Sequence, residues 1–160
     1  AELAISLLCS LSRHIARADR MTRSGTWSKK GLMGTELTGK TLGVIGLGRI
    51  GQVVARRALG LEMNVVAHDP YLSSSGSSSP VDSVELLELD ELLARSDFVT
   101  LHVPLLDTTR NLLSAEKLAL MKPGARLINA ARGGLIDEAA LSTALEEGRI
   151  AGAAIGRAHV

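Results

Sequence analysis

The 160-residue sequence predicts an α/β fold in which a parallel sheet lies between two layers of helices. Runs rich in β-forming residues alternate along the chain with segments of helical periodicity, which is the pattern of repeated β-α units. These runs are apolar almost throughout, as strands are when helices cover both faces of a parallel sheet. Six such strands indicate a doubly wound sheet in a three-layer α/β/α arrangement. The predicted strands are residues 41–45, 63–67, 98–103, 126–130 and 151–155, with a weaker one at 83–86.

The chain before the first strand is predicted to form one amphipathic helix and then a surface connection. Apolar residues recur at helical spacing over residues 3–18, with arginines between them. Leu3, Leu7 and Leu11 form a face that packs on the core of the same chain or contacts a second copy in a homodimer. The polar, glycine-containing segment 24–38 is predicted to lead over the surface to the sheet.

The helices of the sheet region are predicted from their apolar spacing and from their capping residues. The first of them covers residues 50–61, and Asp90, Ser114 and Asp137 are suited to cap the N-termini of later ones. The serine-rich segment 73–80 has too few apolar residues to bury a face. It is therefore predicted to be a mobile loop without a chemical role.

A glycine motif directly follows the first strand and opens the first helix of the sheet. Gly46, Gly48 and Gly51 have G-x-G-x-x-G spacing. In such a motif the first glycine makes a tight turn, the second lets a pyrophosphate approach, and the third lets helix and strand pack closely. Free N–H groups at the helix start bind phosphates, and Arg49 either adds a guanidinium contact or lies on the solvated surface. In this context the motif predicts a Rossmann-type dinucleotide site.

Asp69 follows the second strand, 18 residues after Gly51. A carboxylate at this place either binds both hydroxyls of the adenine ribose or caps the turn at the end of the strand. It would repel a 2′-phosphate, and Pro70 rather than an arginine follows it. The sequence therefore favours NAD over NADP as the cofactor, and His68 is expected to be structural.

Pro104 ends the fourth strand, so the loop that follows it is expected to form a wall of the cofactor crevice. His102 is a candidate acid or base, although a hydrogen-bonded structural role at the end of the strand is favoured. Thr108 and Thr109 either contact the cofactor or cap a turn.

The fifth strand leads into small residues and then a cation. Ala130 and Ala131 let the backbone lie against a flat ring, and Arg132 can bind a carboxylate with two hydrogen bonds. The glycines at 133–134 permit a sharp exit from the strand. This arrangement predicts part of a ligand site, with a solvated surface position for Arg132 as the alternative.

The composition argues against several classes of function. Eighteen basic and seventeen acidic residues leave a net charge of +1, so nucleic acid is not expected to be the main partner. No apolar run approaches the ~18 residues of a membrane span, so no membrane partner is expected. The single Cys9 cannot form an internal disulfide and has no second cysteine for a metal-ligand pattern. We therefore expect no metal site and a reducing compartment, the cytoplasm.

The sequence resembles the D-isomer-specific 2-hydroxyacid dehydrogenases over roughly residues 1–155. The resemblance implies that residues 1–160 are an NAD-binding domain and that a two-part substrate-binding domain lies outside this chain. It implies a small-molecule substrate, and it favours the family members that oxidise 3-phosphoglycerate in serine biosynthesis. The similar segments are residues 33–43, 46–51, 69–71, 129–137 and 151–154.

The resemblance also implies roles for individual residues. Arg132 would bind the substrate carboxylate as the one member of the catalytic set in this chain, because the His–Glu pair that serves as the base would lie outside it. The chain alone would then bind NAD or adenine nucleotides without turnover. The residues that would bind the cofactor are Gly46, Gly48, Arg49, Ile50, Gly51, Asp69, Pro70, Pro104, Thr109, Ala130 and Ala131.

Three features depart from the family pattern. The serine-rich segment takes the place of a short helical stretch after the second strand, and Val103 stands where a threonine is usual. Gly156 replaces an aspartate expected to bond the nicotinamide carboxamide. The alternative function is a non-catalytic NAD-sensing module, similar to the transcriptional corepressors related to this family.

Overall fold

The structure, a computed structural model, describes residues 1–74 and 78–156. Its strands are β1 (Thr41–Ile45), β2 (Asn64–His68), β3 (Glu85–Leu86), β4 (Phe98–Leu101), β5 (Arg126–Asn129) and β6 (Gly152–Ile155). Within the described residues they form one parallel sheet in the order β3-β2-β1-β4-β5-β6. Because the order reverses between β1 and β4, the carboxyl ends of these two strands open the crevice in which doubly wound sheets bind ligands.

Helices cover both faces of the sheet, which confirms the predicted three layers. They are α1 (Glu2–Ser12), α2 (Ile15–Arg23), α3 (Arg49–Gly60), α4 (Pro70–Ser74), α5 (Leu89–Arg95), α6 (Ala115–Ala119) and α7 (Glu138–Glu146). On one face, α1 and α3 bury their apolar side chains against the strands, and on the other face α5, α6 and α7 do so. The side chains that these helices bury include Leu8, Val54, Ala58, Leu92, Leu93, Leu118 and Leu141.

The strands lie within a few residues of their predicted bounds. β1 matches its prediction, β2 is shifted by one residue, and β3 has two residues rather than four. β4 ends at Leu101 rather than at residue 103. The reason is that its neighbour β1 ends at Ile45, whose carbonyl accepts the His102 N–H, and no further β1 residue is left to pair.

The prediction of one N-terminal helix was wrong, because the chain breaks between α1 and α2. His14 adopts a left-handed conformation with φ +54°. The carbonyl oxygen of Ser12 accepts a hydrogen bond from the Thr35 N–H at 2.8 Å instead of continuing the helical pattern. A side chain at Gly34 would place its Cβ only 2.6 Å from the same oxygen, so the following connection packs closely against the break.

The buried face of α1 is also displaced from the predicted one. Ala4, Leu8 and Ser12 are buried, whereas Leu3 is 48% exposed. Helix α1 lies beside α3 and over β5 and β6. It approaches β6 closely at Gly152, where a Cβ would lie 3.0 Å from Leu11 Cδ1. Leu7 and Leu11 are half-buried over the β6 end of the sheet. Packing within the chain thus accounts for these two leucines and leaves Leu3 half exposed.

Two of the three predicted helix caps are confirmed. Ser114 accepts a hydrogen bond from the Lys117 N–H, and Asp137 accepts one from the Ala140 N–H at 3.0 Å. The prediction for Asp90 was wrong: helix α5 begins at Leu89 and its N-cap is Glu88, two residues before Asp90, which lies in the first turn.

The serine-rich segment is partly helical, contrary to the loop prediction. Helix α4 continues through the first two serines to Ser74, so this chain does carry a short helix after β2. Residues 75–77 lie outside the described residues, so the prediction that this part of the segment is mobile is not addressed by the structure. Among the helices of residues 1–74 and 78–156, none has both the length and the apolar character needed to cross a membrane.

Candidate functional site

The turn between β1 and α3 requires glycine at two positions. Gly46 has φ +91°, and a Cβ there would lie 2.8 Å from Val103 Cγ1 and 2.9 Å from the carbonyl oxygen of His102. A Cβ at Gly51 would lie 2.0 Å from the carbonyl oxygen of Gly46. All three distances are shorter than the contacts that real Cβ atoms make. The first glycine therefore lets the turn pass against the end of β4, and the third lets α3 pack on the turn.

Gly48 differs from these two because the space beside it is open. A Cβ built on Gly48 meets no atom within 4 Å. Gly48 is the N-cap of α3, and no side chain accepts a capping hydrogen bond there. The N–H groups of the first turn are therefore open to an external acceptor. Arg49 and Ile50 are exposed beside this opening. Such a helix start attracts anions, phosphates above all.

Asp69 lies at the end of β2 and is hydrogen-bonded to the glycine turn. Its Oδ2 accepts from the Leu47 N–H at 2.9 Å, and its Oδ1 accepts from the Tyr71 N–H at 3.1 Å. Asp69 thus acts as a turn cap in this structure, one of the two roles considered above. Each carboxylate oxygen keeps further lone-pair capacity for a ligand, so the ribose role stays a prediction. Pro70, the first residue of α4, is exposed beside it.

Two histidines lie at this edge of the sheet, His68 as the last residue of β2 and His102 directly after β4, and both bond to the protein itself. His68 Nδ1 lies 3.0 Å from the carbonyl oxygen of Leu87, which joins β2 to the segment after β3. His102 Nε2 lies 3.0 Å from Thr100 Oγ1. Burial lowers the pKa of His102 from 6.5 to about 4. His102 is therefore neutral at pH 7 and forms part of the wall.

The lowered pKa of the partly buried His102 predicts that the protein loses stability at acid pH. Its folded pKa of about 4 lies below the unfolded value of 6.5, so the unfolded chain binds more protons between these values. The contribution of neutral His102 to the free energy of unfolding is present above pH 6.5 and lost as the pH falls toward 4, up to about 3 kcal/mol. Denaturant titrations at pH 7.0 and 4.5 measure the free energy of unfolding. Between these two pH values it should fall less for His102→Asn than for the wild type. His14→Asn is the control, and an equal pH dependence in all three proteins would contradict the assignment.

The loop after Pro104 is held together by Thr109. Its hydroxyl donates to the Pro104 carbonyl at 2.7 Å and accepts from the Leu106 N–H at 2.8 Å. Turn capping, one of the two roles considered for Thr109, is therefore what the structure shows. Thr108 is exposed at the tip of the same loop.

The turn after β5 carries Arg132 and is organised by a residue to which the sequence analysis assigned no role. Asn129 is 2% exposed, and its side chain bonds to the backbone of both Ala131 and Arg132. Arg132 itself is exposed, with Nη1 donating to the Ala131 carbonyl at 2.9 Å. The one sequence signal for Asn129 is a polar residue directly after the apolar pair Leu127 and Ile128 in the predicted strand.

These segments surround a cleft of about 350 Å³. Five of the predicted residues line it: Ile50, Pro104, Ala130, Ala131 and Arg132. His102 and Val103 add to the wall, and so do Ala1, Leu3 and Ala4 at the start of α1, a helix to which the sequence analysis gave no place in the site. The other predicted residues do not line this cleft. Four lie along the glycine turn and the start of α3, and Asp69 at the end of β2 is bonded to that turn. These residues outside the lining are Gly46, Gly48, Arg49, Gly51, Asp69, Pro70 and Thr109.

The arrangement suits an elongated anionic ligand with a flat ring. An anion-binding helix start, an adjacent carboxylate and a cleft with small residues and one cation follow one another along the carboxyl edge of the sheet. This is the order in which a doubly wound sheet binds a dinucleotide. In the part of the chain that the structure describes, no three His, Cys, Asp or Glu side chains group as metal ligands would.

Comparison with known proteins agrees with this geometry. Residues 5–156 match the sequence profile of the family described as D-isomer specific 2-hydroxyacid dehydrogenase, NAD binding domain. The D-3-phosphoglycerate dehydrogenase of Methanocaldococcus jannaschii is 49% identical over 156 residues, which are 97% of this chain and 29% of that protein. The chain thus spans less than a third of the length of this relative.

Solved structures of reductases are also similar to this chain in both fold and sequence. The pyruvate reductase of Chlamydomonas reinhardtii is 43% identical with a TM-score of 0.84, and the match covers 97% of this chain and 46% of that one. An acyclic imino acid reductase in complex with NADPH and D-Arg is 36% identical with a TM-score of 0.87, over 96% of this chain and 48% of that one. The chain belongs to the D-isomer specific 2-hydroxyacid dehydrogenases and is their NAD-binding domain.

Proposed function

We propose that this chain is the NAD-binding domain of a D-3-phosphoglycerate dehydrogenase, which oxidises 3-phosphoglycerate to 3-phosphohydroxypyruvate in serine biosynthesis. The observation that carries the proposal is the opening at Gly48 beside the uncapped start of α3. The choice of substrate rests on the relative from Methanocaldococcus jannaschii. The substrate-binding domain and the base would lie outside these 160 residues.

The residues present fit NAD. The glycine turn leaves room for a pyrophosphate only at Gly48, and the small side chains of Ala130 and Ala131 line the cleft next to Arg132. When bound, NAD supplies the acceptor for a hydride from the substrate. Arg132 would hold the substrate carboxylate, and Asp69 the adenine ribose. The other residues proposed to hold the cofactor are Gly46, Gly48, Arg49, Ile50, Gly51, Pro70, Pro104, Thr109, Ala130 and Ala131.

Asp69 is the residue proposed to select NAD over NADP. We expect Asp69→Ala to weaken NAD binding by about 1–3 kcal/mol, the cost of leaving hydrogen-bonded hydroxyls unpaired. The preference for NAD over NADP should narrow as well, because the carboxylate no longer repels the 2′-phosphate. Calorimetric titration with both cofactors measures this, with Asp82→Ala as a control for the same change of charge at an exposed position. Unchanged NAD affinity in Asp69→Ala would remove Asp69 from the site.

The 160-residue chain is expected to bind NAD without oxidising 3-phosphoglycerate. The glycine turn and Asp69 serve the adenosine diphosphate half, whereas no base or substrate domain is expected within the chain. Since Gly156 replaces the aspartate that the family resemblance assigns to the nicotinamide carboxamide, ADP-ribose should compete almost as well as NAD. Calorimetry measures both affinities, and absorbance measures NADH formation. Sustained turnover, or a preference for NAD above about tenfold (about 1.4 kcal/mol), would contradict this expectation.

The reaction itself is tested on the complete enzyme of which this chain is the proposed domain. NADH formation that depends on 3-phosphoglycerate is the expected result. A protein that binds NAD but turns over neither this nor another 2-hydroxy acid would instead fit the non-catalytic NAD-sensing module.

We also propose a homodimer and a reducing compartment, the cytoplasm. Leu3 of α1 is 48% exposed and Ile15 at the start of α2 is 54% exposed, so apolar side chains remain available for contact with a second copy. The proposal of a reducing compartment rests on cysteine usage, since the sequence has the single Cys9 and no pair that could form an internal disulfide. Light scattering on the chain measures the oligomeric state, and a monomer at all concentrations would overturn the dimer.

A further inference from the structure

Asn129 ends β5, and its side-chain amide lies under the turn that carries Arg132. Its Oδ1 accepts a hydrogen bond from the Ala131 N–H at 3.0 Å, and its Nδ2 donates to the Arg132 carbonyl at 2.8 Å. Its own carbonyl accepts from the Gly156 N–H at 3.0 Å. One buried residue therefore connects the end of β5, the turn and the end of β6.

These two side-chain bonds determine the direction in which the Arg132 side chain leaves the backbone. The Ala131 N–H belongs to the peptide plane before Ala131, and the Arg132 carbonyl belongs to the plane after Arg132. The two held planes bracket the pair Ala131 and Arg132, so they restrict the backbone conformation of the turn at the arginine. Within the described residues, the Arg132 guanidinium makes a single hydrogen bond, to the Ala131 carbonyl, so most of its five N–H donors are open to a ligand.

Asparagine suits this position because its amide offers an acceptor and a donor on one short, planar group. Aspartate would place a second oxygen against the Arg132 carbonyl and would bury a charge. Alanine would leave the Ala131 N–H and the Arg132 carbonyl without these partners. Because Asn129 is 2% exposed, water has little access to replace the lost bonds.

We propose that Asn129 is a positioning residue that holds Arg132 in the orientation needed to bind the carboxylate of a 2-hydroxy acid. This inference rests on the proposed function, in which Arg132 contacts the substrate. In this role Asn129 is not a ligand contact, because its amide is buried and both of its polar atoms are bonded to the backbone of the turn. It acts through the turn, as the supporting residues of a site do when they lock a side chain that binds ligand.

The test is a double-mutant cycle of Asn129→Ala and Arg132→Ala in the complete enzyme. Asn129→Ala should lower kcat/KM for 3-phosphoglycerate by about 10- to 100-fold, the effect of a displaced binding group. The affinity for AMP should stay within about twofold of the wild type, since the glycine turn is untouched. In the Arg132→Ala background, Asn129→Ala should change kcat/KM by less than about twofold, because the group that it positions is already gone.

A matched control separates this role from a general loss of stability. Ser96 is also buried, and its hydroxyl donates to the Leu92 carbonyl at the opposite, amino end of the sheet. Ser96→Ala therefore removes a buried hydrogen bond without touching the site, and its kcat/KM should stay near the wild-type value. Asn129→Ser keeps the position small and polar, so the cycle does not depend on folding of the alanine variant.

Amide hydrogen exchange gives a readout that is independent of turnover. The Ala131 N–H should exchange faster in Asn129→Ala than in the wild type, and at the wild-type rate in Arg132→Ala. Equal effects of Asn129→Ala in both arginine backgrounds, or a kcat/KM indistinguishable from that of Ser96→Ala, would overturn the role of Asn129 alone. A wild type that oxidises no 2-hydroxy acid would overturn the proposed function and this role together.

Discussion

Gly48→Val is expected to fold like the wild type and to lose NAD binding by at least about 100-fold, or about 2.7 kcal/mol. A Cβ at Gly48 meets no protein atom within 4 Å, so the fold has room for a side chain there. The same space is where a pyrophosphate would approach the N–H groups that open α3. A valine would occupy it and keep the phosphates away from these donors.

The matched control for this prediction is Gly60→Val. Gly60 is the last residue of α3, and its Cβ likewise meets no atom within 4 Å. It lies at the other end of the helix, so the same substitution should leave NAD affinity unchanged. Calorimetry measures the affinity, and circular dichroism with denaturant unfolding checks the fold. A folded Gly48→Val variant that binds NAD with wild-type affinity would contradict the proposed position of the pyrophosphate.

Gly51→Ala should have the largest effect on stability, at about 3 kcal/mol or more of lost unfolding free energy. Its new Cβ would lie 2.0 Å from the carbonyl oxygen of Gly46 and 3.0 Å from the carbonyl carbon. Both of these Gly46 atoms belong to the backbone, so the clash cannot be relieved by rotation of a side chain. Helix α3 would have to shift away from the turn, which should also displace the N–H groups of its first turn and weaken NAD binding.

Gly60→Ala again provides the comparison, with the opposite expected sign. Alanine is favoured over glycine in a helix by about 0.5–1 kcal/mol, and nothing obstructs its methyl group at this position. Urea titrations of the two variants should therefore move the unfolding midpoint in opposite directions. If Gly51→Ala were as stable as the wild type, the close packing of α3 on the glycine turn would be refuted.

The glycine turn could be predicted from sequence because its constraints are local. Gly46, Gly48 and Gly51 lie within six consecutive residues, and the strand before them and the helix after them are defined by neighbouring apolar residues. The same holds for Ser114 and Asp137, whose caps involve residues three positions away. Asp90 failed as a cap because α5 begins at Leu89 with Glu88 as its N-cap, and a shift of two residues is within what local patterns leave open.

The break between α1 and α2 could not be predicted from periodicity. The apolar spacing continues through Ile15, yet the Ser12 carbonyl is bonded to the Thr35 N–H, 23 residues further along the chain. A contact of this kind depends on where the connection after α2 returns. Periodicity describes the preference of one segment by itself, and a tertiary hydrogen bond overrode it here.

The sequence by itself determined the α/β class, the approximate positions of the strands, the glycine turn and the acidic residue after β2, because each depends on residues close together in the chain. Tertiary structure alone decided which of these meet. It tied Asp69 to the Leu47 N–H, brought the start of α1 into the wall of the cleft, and placed the buried amide of Asn129 beneath Arg132. Hydrogen bonds and packing between distant segments form only when the sheet assembles, and no local pattern encodes their partners.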